Sequence, residues 1–203
     1  LSIQAAVLSP GVPTDIPLVN RMRDRGVQIL GEIELGFLAE QGRVIAITGT
    51  NGKTTTTTLT GEIMKAHFGK DKTFVVGNIG NPYTLEADKT SKDSVTVGEI
   101  SSFQLETIHT FHPVVSAILN ITPDHLNRHH TMEEYIRVKE LIVKNQTADD
   151  FCILNYEDPV LREFGQNITP KVVYFSSVRN LEEGIYLDGD QIIYNPEILA
   201  PEF

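Results

Sequence analysis

Lys53 stands in the run TGTNGKTT, residues 48–55, and this run carries the strongest chemical signal in the chain. The apolar RVIAIT precedes it, and the helically spaced LTGEIMKAHF follows the threonines behind it. A strand, a glycine-bearing turn and a helix start, in that order, form the context of a phosphate-binding loop. Glycine lets the backbone approach an anion, and the free N–H groups of a helix start point at it. On this reading the glycine turn and the helix start surround the phosphates of a nucleotide. Lys53 reaches the β- and γ-phosphates, and the Thr54 hydroxyl serves a magnesium ion. The same reading explains why Thr54–Thr58, β-branched and poor helix formers, open a helix. Hydroxyls on the first turn serve phosphate and metal; Thr57 and Thr58 lie beyond clear reach. The spacing departs from G-x-x-x-x-G-K-[ST], because Ile47 stands where the first glycine belongs and the earlier glycine is Gly49. The bland alternative is a Gly/Asn turn followed by a solvated lysine. The agreement of strand, turn, Lys-Thr pair and helix favours the nucleotide.

Three further residues stand where chemistry is done. SVTVG runs into Glu99, an acid at the end of an apolar strand, where nucleoside triphosphatases place a magnesium-directed carboxylate. A helix-cap acid is the plain alternative. His125 follows VVSAILNITPD and can serve as a metal ligand or a substrate contact, although a lone loop histidine usually does neither. His109, His112, His129 and His130 read as surface or packing residues. Lys139 falls in the centre of an apolar helical stripe formed by Met132, Tyr135, Ile136, Ile142 and Val143. A snorkelling lysine whose stem covers apolar surface is the ordinary reading of such a position. A desolvated lysine, however, has a lowered pKa and becomes a nucleophile. As a neutral amine it can take up carbon dioxide, and the carbamate is a carboxylate-like ligand for a hard cation.

These residues need elements to hold them, and the chain supplies an alternation. AAVLS, VQIL, RVIAIT, TFVVG, SVTVGEI, VVSAILNI, FCILN and VVYFSS read as strands. PLVNRMRDRG, EIELGFLAEQ, the threonine helix, SSFQLETIH, the long TMEEYIRVKELIVKNQ and DPVLREFG read as helices between them. Val/Ile-rich strands each followed by a helix predict an α/β fold with a doubly wound, mostly parallel sheet. GIYLDGDQIIYN reads as a hairpin around Asp188-Gly189. A boundary near residues 30–42 separates a partial Rossmann-like α/β unit from the sheet that carries the phosphate loop. Ligands of such sheets sit at the carboxyl ends of the strands, which is where Lys53, Glu99 and His125 lie.

Composition narrows the partners. The 203 residues are 40% hydrophobic and 22% charged, as in an ordinary globular protein. A net charge of −10 argues against broad binding to nucleic acid or an anionic membrane. No apolar run approaches transmembrane length. The single cysteine, Cys152 in the apolar FCIL, reads as a buried small hydrophobe, and a reducing cytoplasm is the natural setting. LSIQAAVLSPG opens with a strand under way and NPEILAPEF stops without a capped element, so a fragment of a longer protein is expected.

Taken together, TGTNGKTT, GNIGNP, GEISSFQLE, LNITPDHLNRH and the Tyr135–Lys139 segment, in this order, resemble the ATP-dependent Mur ligases. The resemblance spans nearly the whole chain. The phosphate loop is shared with folylpolyglutamate synthetases. SSFQLE, with SPGVP and GEIEL upstream, resembles the members that join D-glutamate to UDP-N-acetylmuramoyl-L-alanine through an acyl phosphate. The resemblance implies peptidoglycan precursor synthesis, ATP and magnesium, a monomer, and no nucleic-acid or membrane partner. It implies that residues 1–31 end a UDP-binding domain and that 32–203 form an incomplete central ATPase domain. The third domain, with much of the D-glutamate site, would be absent, so the isolated chain is expected not to complete ligation. It also implies roles. Thr50, Asn51, Gly52, Lys53, Thr54 and Thr55 bind the ATP phosphates, with Lys53 on the γ-phosphate; Thr54 and Glu99 hold one magnesium; Glu99, His125 and carbamylated Lys139 hold another. Asn78, Ser101, Gln104 and His125 contact the muramoyl substrate, and Ser9, Pro10 and Gly11 line its uridine end. Asn127 departs from the family's Asp-His-x-Asp-Arg run. Other readings are a different amide ligase of the same superfamily, which turnover of tetrahydrofolate would reveal, and a nucleotide-binding module without chemistry.

Overall fold

The computed structural model describes residues 3–195; the expectation for the tail at 196–203 lies outside these. Strands β1 (Ala5–Leu8) and β2 (Gln28–Gly31) pair in parallel, joined by helix α1 (Pro17–Asp24). Helix α2 (Glu32–Ala39) then leads to β3 (Arg43–Thr48) and α3 (Lys53–Phe68). The chain continues through β4 (Thr73–Gly77), α4 (Tyr83–Glu86), β5 (Val95–Glu99), α5 (Ser102–Leu105) and β6 (Val115–Ile118). Next come α6 (Leu126–His129), α7 (Met132–Glu140), β7 (Phe151–Asn155) and α8 (Pro159–Gly165). Strands β8 (Lys171–Ser176), β9 (Gly184–Asp188) and β10 (Gln191–Asn195) complete the order.

Strands β3 to β10 form one sheet in the order β10-β9-β8-β7-β6-β3-β5-β4. Every neighbouring pair is parallel except β9 and β10. This is the doubly wound α/β architecture that the strand–helix alternation predicts. From β3 the chain crosses to the edge strand β4, returns to β5 beside β3, then passes over β3 to β6 and on to β7. The carboxyl ends of β3, β5 and β6 therefore frame a switch point, the usual ligand crevice of such sheets.

Alternate residues of each strand feed opposite faces. One face packs Val44, Ala46, Val76 and Leu154 against Ile33, Tyr135, Val138 and Ile142 from the helices. The other carries Ile45, Ile47, Val97, Val115 and Phe151, with Met64 and Phe68 of α3 against them. Cys152 is fully buried in the first cluster, and burial raises its thiol pKa to about 12.

Three expectations shift. The helix expected over SSFQLETIH ends at Leu105, because the buried Glu34 carboxylate accepts the backbone N–H groups of His109, Thr110 and Phe111. Those bonds hold the chain out of a helical path. The long helix expected to Gln146 is α-helical only to Glu140 and tightens into a 3-10 turn at Leu141–Val143. The hairpin turns on Gly189-Asp190, one residue later than expected: Asp188 pairs with Gln191, and Gly189 has the positive φ of 61° that a two-residue turn requires.

Candidate active site

The phosphate loop lies between β3 and α3. Gly52 takes φ 82° as the residue before α3, a conformation that glycine adopts freely. The first N–H groups of α3, at Lys53, Thr54 and Thr55, lack intrahelical partners as at any helix start. Asn51, Gly52, Thr54 and Thr55 are exposed there. Lys53 Nζ donates to the carbonyls of Gly49 (3.0 Å) and Thr50 (2.9 Å), so the ammonium rests on its own loop.

The threonines divide by face. Thr58 Oγ1 returns a bond to the Thr54 carbonyl at 2.8 Å, the usual device of a helical threonine. Thr57 is fully buried, and its hydroxyl has no hydrogen-bond partner among the described residues.

Thr50 holds the loop. Its N–H donates to the Asn120 carbonyl (2.9 Å), and its hydroxyl meets Thr122 and the Tyr135 hydroxyl. Asn120 and Asn51 exchange a further pair of bonds. The loop is thereby fixed to the chain after β6, and the Thr50 hydroxyl is spent within the protein. Composition around the loop could not reveal this, because the partners lie 69–85 residues away.

Glu99 ends β5 in register with Ile47 of β3 and Gly77 of β4. It is 1% exposed. Asn78 Nδ2 donates to Oε1 at 2.7 Å, whereas Oε2 is buried without a hydrogen-bond partner. A buried carboxylate oxygen normally finds a donor. One that does not, beside a phosphate loop, fits a hard cation. Gly77 has φ 94°, and a Cβ there would lie 2.3 Å from the Glu99 carbonyl. The close approach of β4 to the acid thus needs glycine.

Lys139 of α7 is 2% exposed. Its Nζ donates to the Gly49 carbonyl (2.8 Å) and Thr48 Oγ1 (3.3 Å) and lies 5.0 Å from the centre of the Tyr135 ring. Burial, aided by the charge of Lys53, lowers its pKa to about 7 against the pull of Asp124. The apolar stripe therefore delivers an amine, poised between neutral and charged, to the root of the phosphate loop.

His125 takes φ 52° between Asp124 and α6, and its N–H donates to Asp124 Oδ1 at 2.8 Å. Its ring is half exposed and packs on Phe103, with ring centres 4.9 Å apart. No hydrogen bond joins it to Glu99 or Lys139 among the described residues. No cluster of three or more His, Cys, Asp or Glu side chains arranged for a metal occurs among them either.

Ser101 and Gln104 form a capping box on α5. The Gln104 amide oxygen accepts from the Ser101 N–H (2.9 Å) and hydroxyl (3.1 Å), and Ser101 Oγ accepts the Gln104 N–H. The Ser9–Pro10 turn and this segment meet: Ser9, Pro10, Val12, Phe103 and Gln104 line one narrow crevice, closed to anything larger than a water molecule. Gly11 is exposed at its edge. Sequence reasoning gave His129 no role beyond surface or packing; it is 3% exposed, a packing residue, and bonds Ser102 Oγ at 2.9 Å. Burial holds its pKa below the ordinary value despite Glu106. Sequence reasoning passed over Arg128, whose four-residue helix has too little periodicity to stand out.

Comparison with known proteins agrees with this geometry. Residues 47–195 match the family model of the Mur ligase middle domain. The UDP-N-acetylmuramoylalanine--D-glutamate ligase of Lachnospira eligens is 59% identical over 192 residues, 95% of this chain and 42% of that protein. The ligase of the same name from Clostridioides difficile is 52% identical over 192 residues, covering 94% of this chain and 42% of that protein. The chain thus spans well under half the length of these relatives. Among solved structures, MurF ligase of Thermotoga maritima in complex with ADP superposes with a TM-score of 0.56 at 18% identity, covering 94% of this chain and 54% of that one. UDP-N-acetylmuramoyl-L-alanyl-D-glutamate--2,6-diaminopimelate ligase gives a TM-score of 0.60 at 20% identity, covering 90% and 47%. At such identities the structures speak for the fold alone. With most of its length matched by the family model, the chain belongs to the Mur ligases, and residues 47–195 are their middle domain.

Proposed function

We propose that the protein is an ATP-dependent amide ligase that joins D-glutamate to UDP-N-acetylmuramoyl-L-alanine through an acyl phosphate, as a monomer in the cytoplasm. Relatives 50–59% identical bear the name of that activity. The observation in this chain that carries the reading is the buried, unpartnered Oε2 of Glu99 beside a strand-turn-helix phosphate loop. It speaks for an enzyme that works on a metal-bound nucleotide rather than for a passive nucleotide module.

The residues divide the work. The N–H groups at Gly52–Thr55 bind the phosphates, the Asn51 N–H being held by Asn120, and Lys53 neutralises the γ-phosphoryl oxygens as charge builds on them. Asn78 orients the Glu99 carboxylate through the bond at 2.7 Å. Thr54, Glu99, His125 and Lys139, the last as its carbamate, would hold magnesium. When bound, magnesium supplies charge neutralisation and Lewis acidity at the phosphoryl group. Lys139 can accept carbon dioxide because burial leaves much of it neutral near pH 7. Asn78, Ser101, Gln104 and His125 face the muramoyl part of the substrate on this reading, and Ser9, Pro10 and Gly11 its uridine end. Support comes from the adjacency of the Ser9–Pro10 turn to Phe103 and Gln104, which line one crevice. Residues 1–31 are then the end of a UDP-binding domain and 32–203 belong to the ATPase domain. The separate β1–β2 sheet supports that division.

The test is incorporation of radiolabelled D-glutamate by the full-length protein with ATP and magnesium. UDP-N-acetylmuramoyl-L-alanine should be converted and tetrahydrofolate should not. Turnover of the folate, or of another amino acid in place of D-glutamate, would overturn the substrate assignment.

A further inference from the structure

Arg128 occupies a position that none of the proposed roles uses. Its side chain is only 13% exposed, and its partner Glu106 only 11%. The guanidinium makes a two-pronged pair with that carboxylate, Nε to Oε1 at 3.1 Å and Nη2 to Oε2 at 2.6 Å. The same Nη2 donates to the backbone carbonyl of Val12 at 3.1 Å, 116 residues away in sequence. Glu106 Oε2 in turn accepts from the Thr14 hydroxyl at 3.2 Å. The Thr14 carbonyl accepts from Arg23 of α1 at 2.6 Å. One partly buried ion pair therefore grips the loop after β1 at two points, and α1 closes the grip from the other side.

Arg128 also faces the catalytic side. Its guanidinium lies 4.9 Å from the centre of the Phe103 ring, and His125 packs on that same ring. His129, the other titratable side chain beside Glu106, lies 3.6 Å from Oε1 and is held toward its neutral form by burial. The Glu106 charge is thus answered mainly by Arg128. A planar fork can reach a carboxylate and a carbonyl together; a lysine ammonium cannot match that geometry.

We infer that Arg128, with Glu106, is a positioning residue that fixes the Ser9–Thr14 loop against α5 and so sets affinity for the UDP-linked substrate. This rests on the reading of Ser9, Pro10 and Gly11 as the uridine end. The pair touches neither the phosphate loop nor Lys139. Its loss therefore acts on substrate binding more than on the phosphoryl step.

The experiment uses the full-length protein and two readouts. Hydrogen–deuterium exchange of residues 9–16 is followed in wild type and Arg128→Ala, with Arg128→Lys read the same way if the alanine variant does not fold. Exchange there should rise at least tenfold, while residues 48–55 stay unchanged. Steady-state kinetics should then show KM for UDP-N-acetylmuramoyl-L-alanine raised at least tenfold, with kcat and KM for ATP within about threefold of wild type. Arg128→Lys should recover only part of the loss. Unchanged exchange at 9–16, or a fall in kcat at constant KM, would overturn the inference. If exchange rises but wild type never binds the UDP-linked compound, the clamp stands and the substrate reading fails.

Discussion

Lys139 donates a 2.8 Å hydrogen bond to the carbonyl of Gly49, so the buried amine of α7 touches the backbone of the phosphate loop directly. The two residues are 90 positions apart. Their contact joins the only fully buried lysine among the described residues to the loop where anionic charge would collect. Predictions about this relationship can be made with the metal absent as well as present.

The first concerns pH and stability. The folded pKa of Lys139 is lowered to about 7, whereas an unfolded lysine titrates near ~10.4. Between these values the unfolded chain binds the extra proton, so this residue makes stability rise with pH. Its burial penalty is fully present below about pH 7 and is relieved toward pH 10. Urea unfolding of metal-free protein in carbon dioxide-depleted buffer should show this against Lys139→Met. The methionine variant should be the more stable at pH 6.5, and its advantage should shrink by on the order of 3 kcal/mol by pH 9.5. A difference that does not change with pH would show that the amine is already neutral at pH 6.5 or still solvated.

The second concerns the carbamate. Lys139→Ala should lower turnover by at least a hundredfold, about 3 kcal/mol of barrier. Short carboxylic acids should restore part of it by filling the vacated ligand position. Lys139→Arg keeps a cation but cannot form the same carbamate, so full activity in that variant would reduce the lysine to packing or simple electrostatics.

Lys53→Ala should weaken binding of ATP-magnesium or abolish γ-phosphate chemistry in the full-length protein. Loss of a charge-assisted contact to phosphate is worth roughly 1.5–3 kcal/mol, a ten- to hundredfold effect. Isothermal titration with a non-hydrolysable ATP analogue, followed by a turnover assay, separates the two outcomes. Wild-type values in both would remove Lys53 from the site.

Glu99→Gln keeps the volume and an oxygen for Asn78 but removes the charge. Magnesium affinity of the nucleotide complex should fall at least tenfold, read by magnesium titration of turnover, while the folded state should not be lost. If activity proves independent of this substitution, the unpartnered oxygen has no ligand role.

What the sequence determined by itself was local or periodic. The strand-helix alternation, the glycine turn before Lys53 and the acid at the end of β5 each follow from the residue and its near neighbours. The burial of Lys139 was also legible, because Tyr135 and Ile142 place it on the apolar face by helical spacing. The helix end at Leu105 was not, since it depends on Glu34 reaching His109, Thr110 and Phe111 across more than 70 residues. Nor was the fate of the Thr50 hydroxyl, which Thr122 and Tyr135 take up, or of Ser101 and Gln104, whose polar atoms close a helix cap. Only the strand order brings β6 beside β3, and with it Asn120 and Thr122 against the loop. The grip of Arg128 on Val12 arises in the same way. Periodicity reports which face of an element is buried, but hydrogen bonds between distant loops are chosen by which strands lie side by side, and that choice is made in three dimensions.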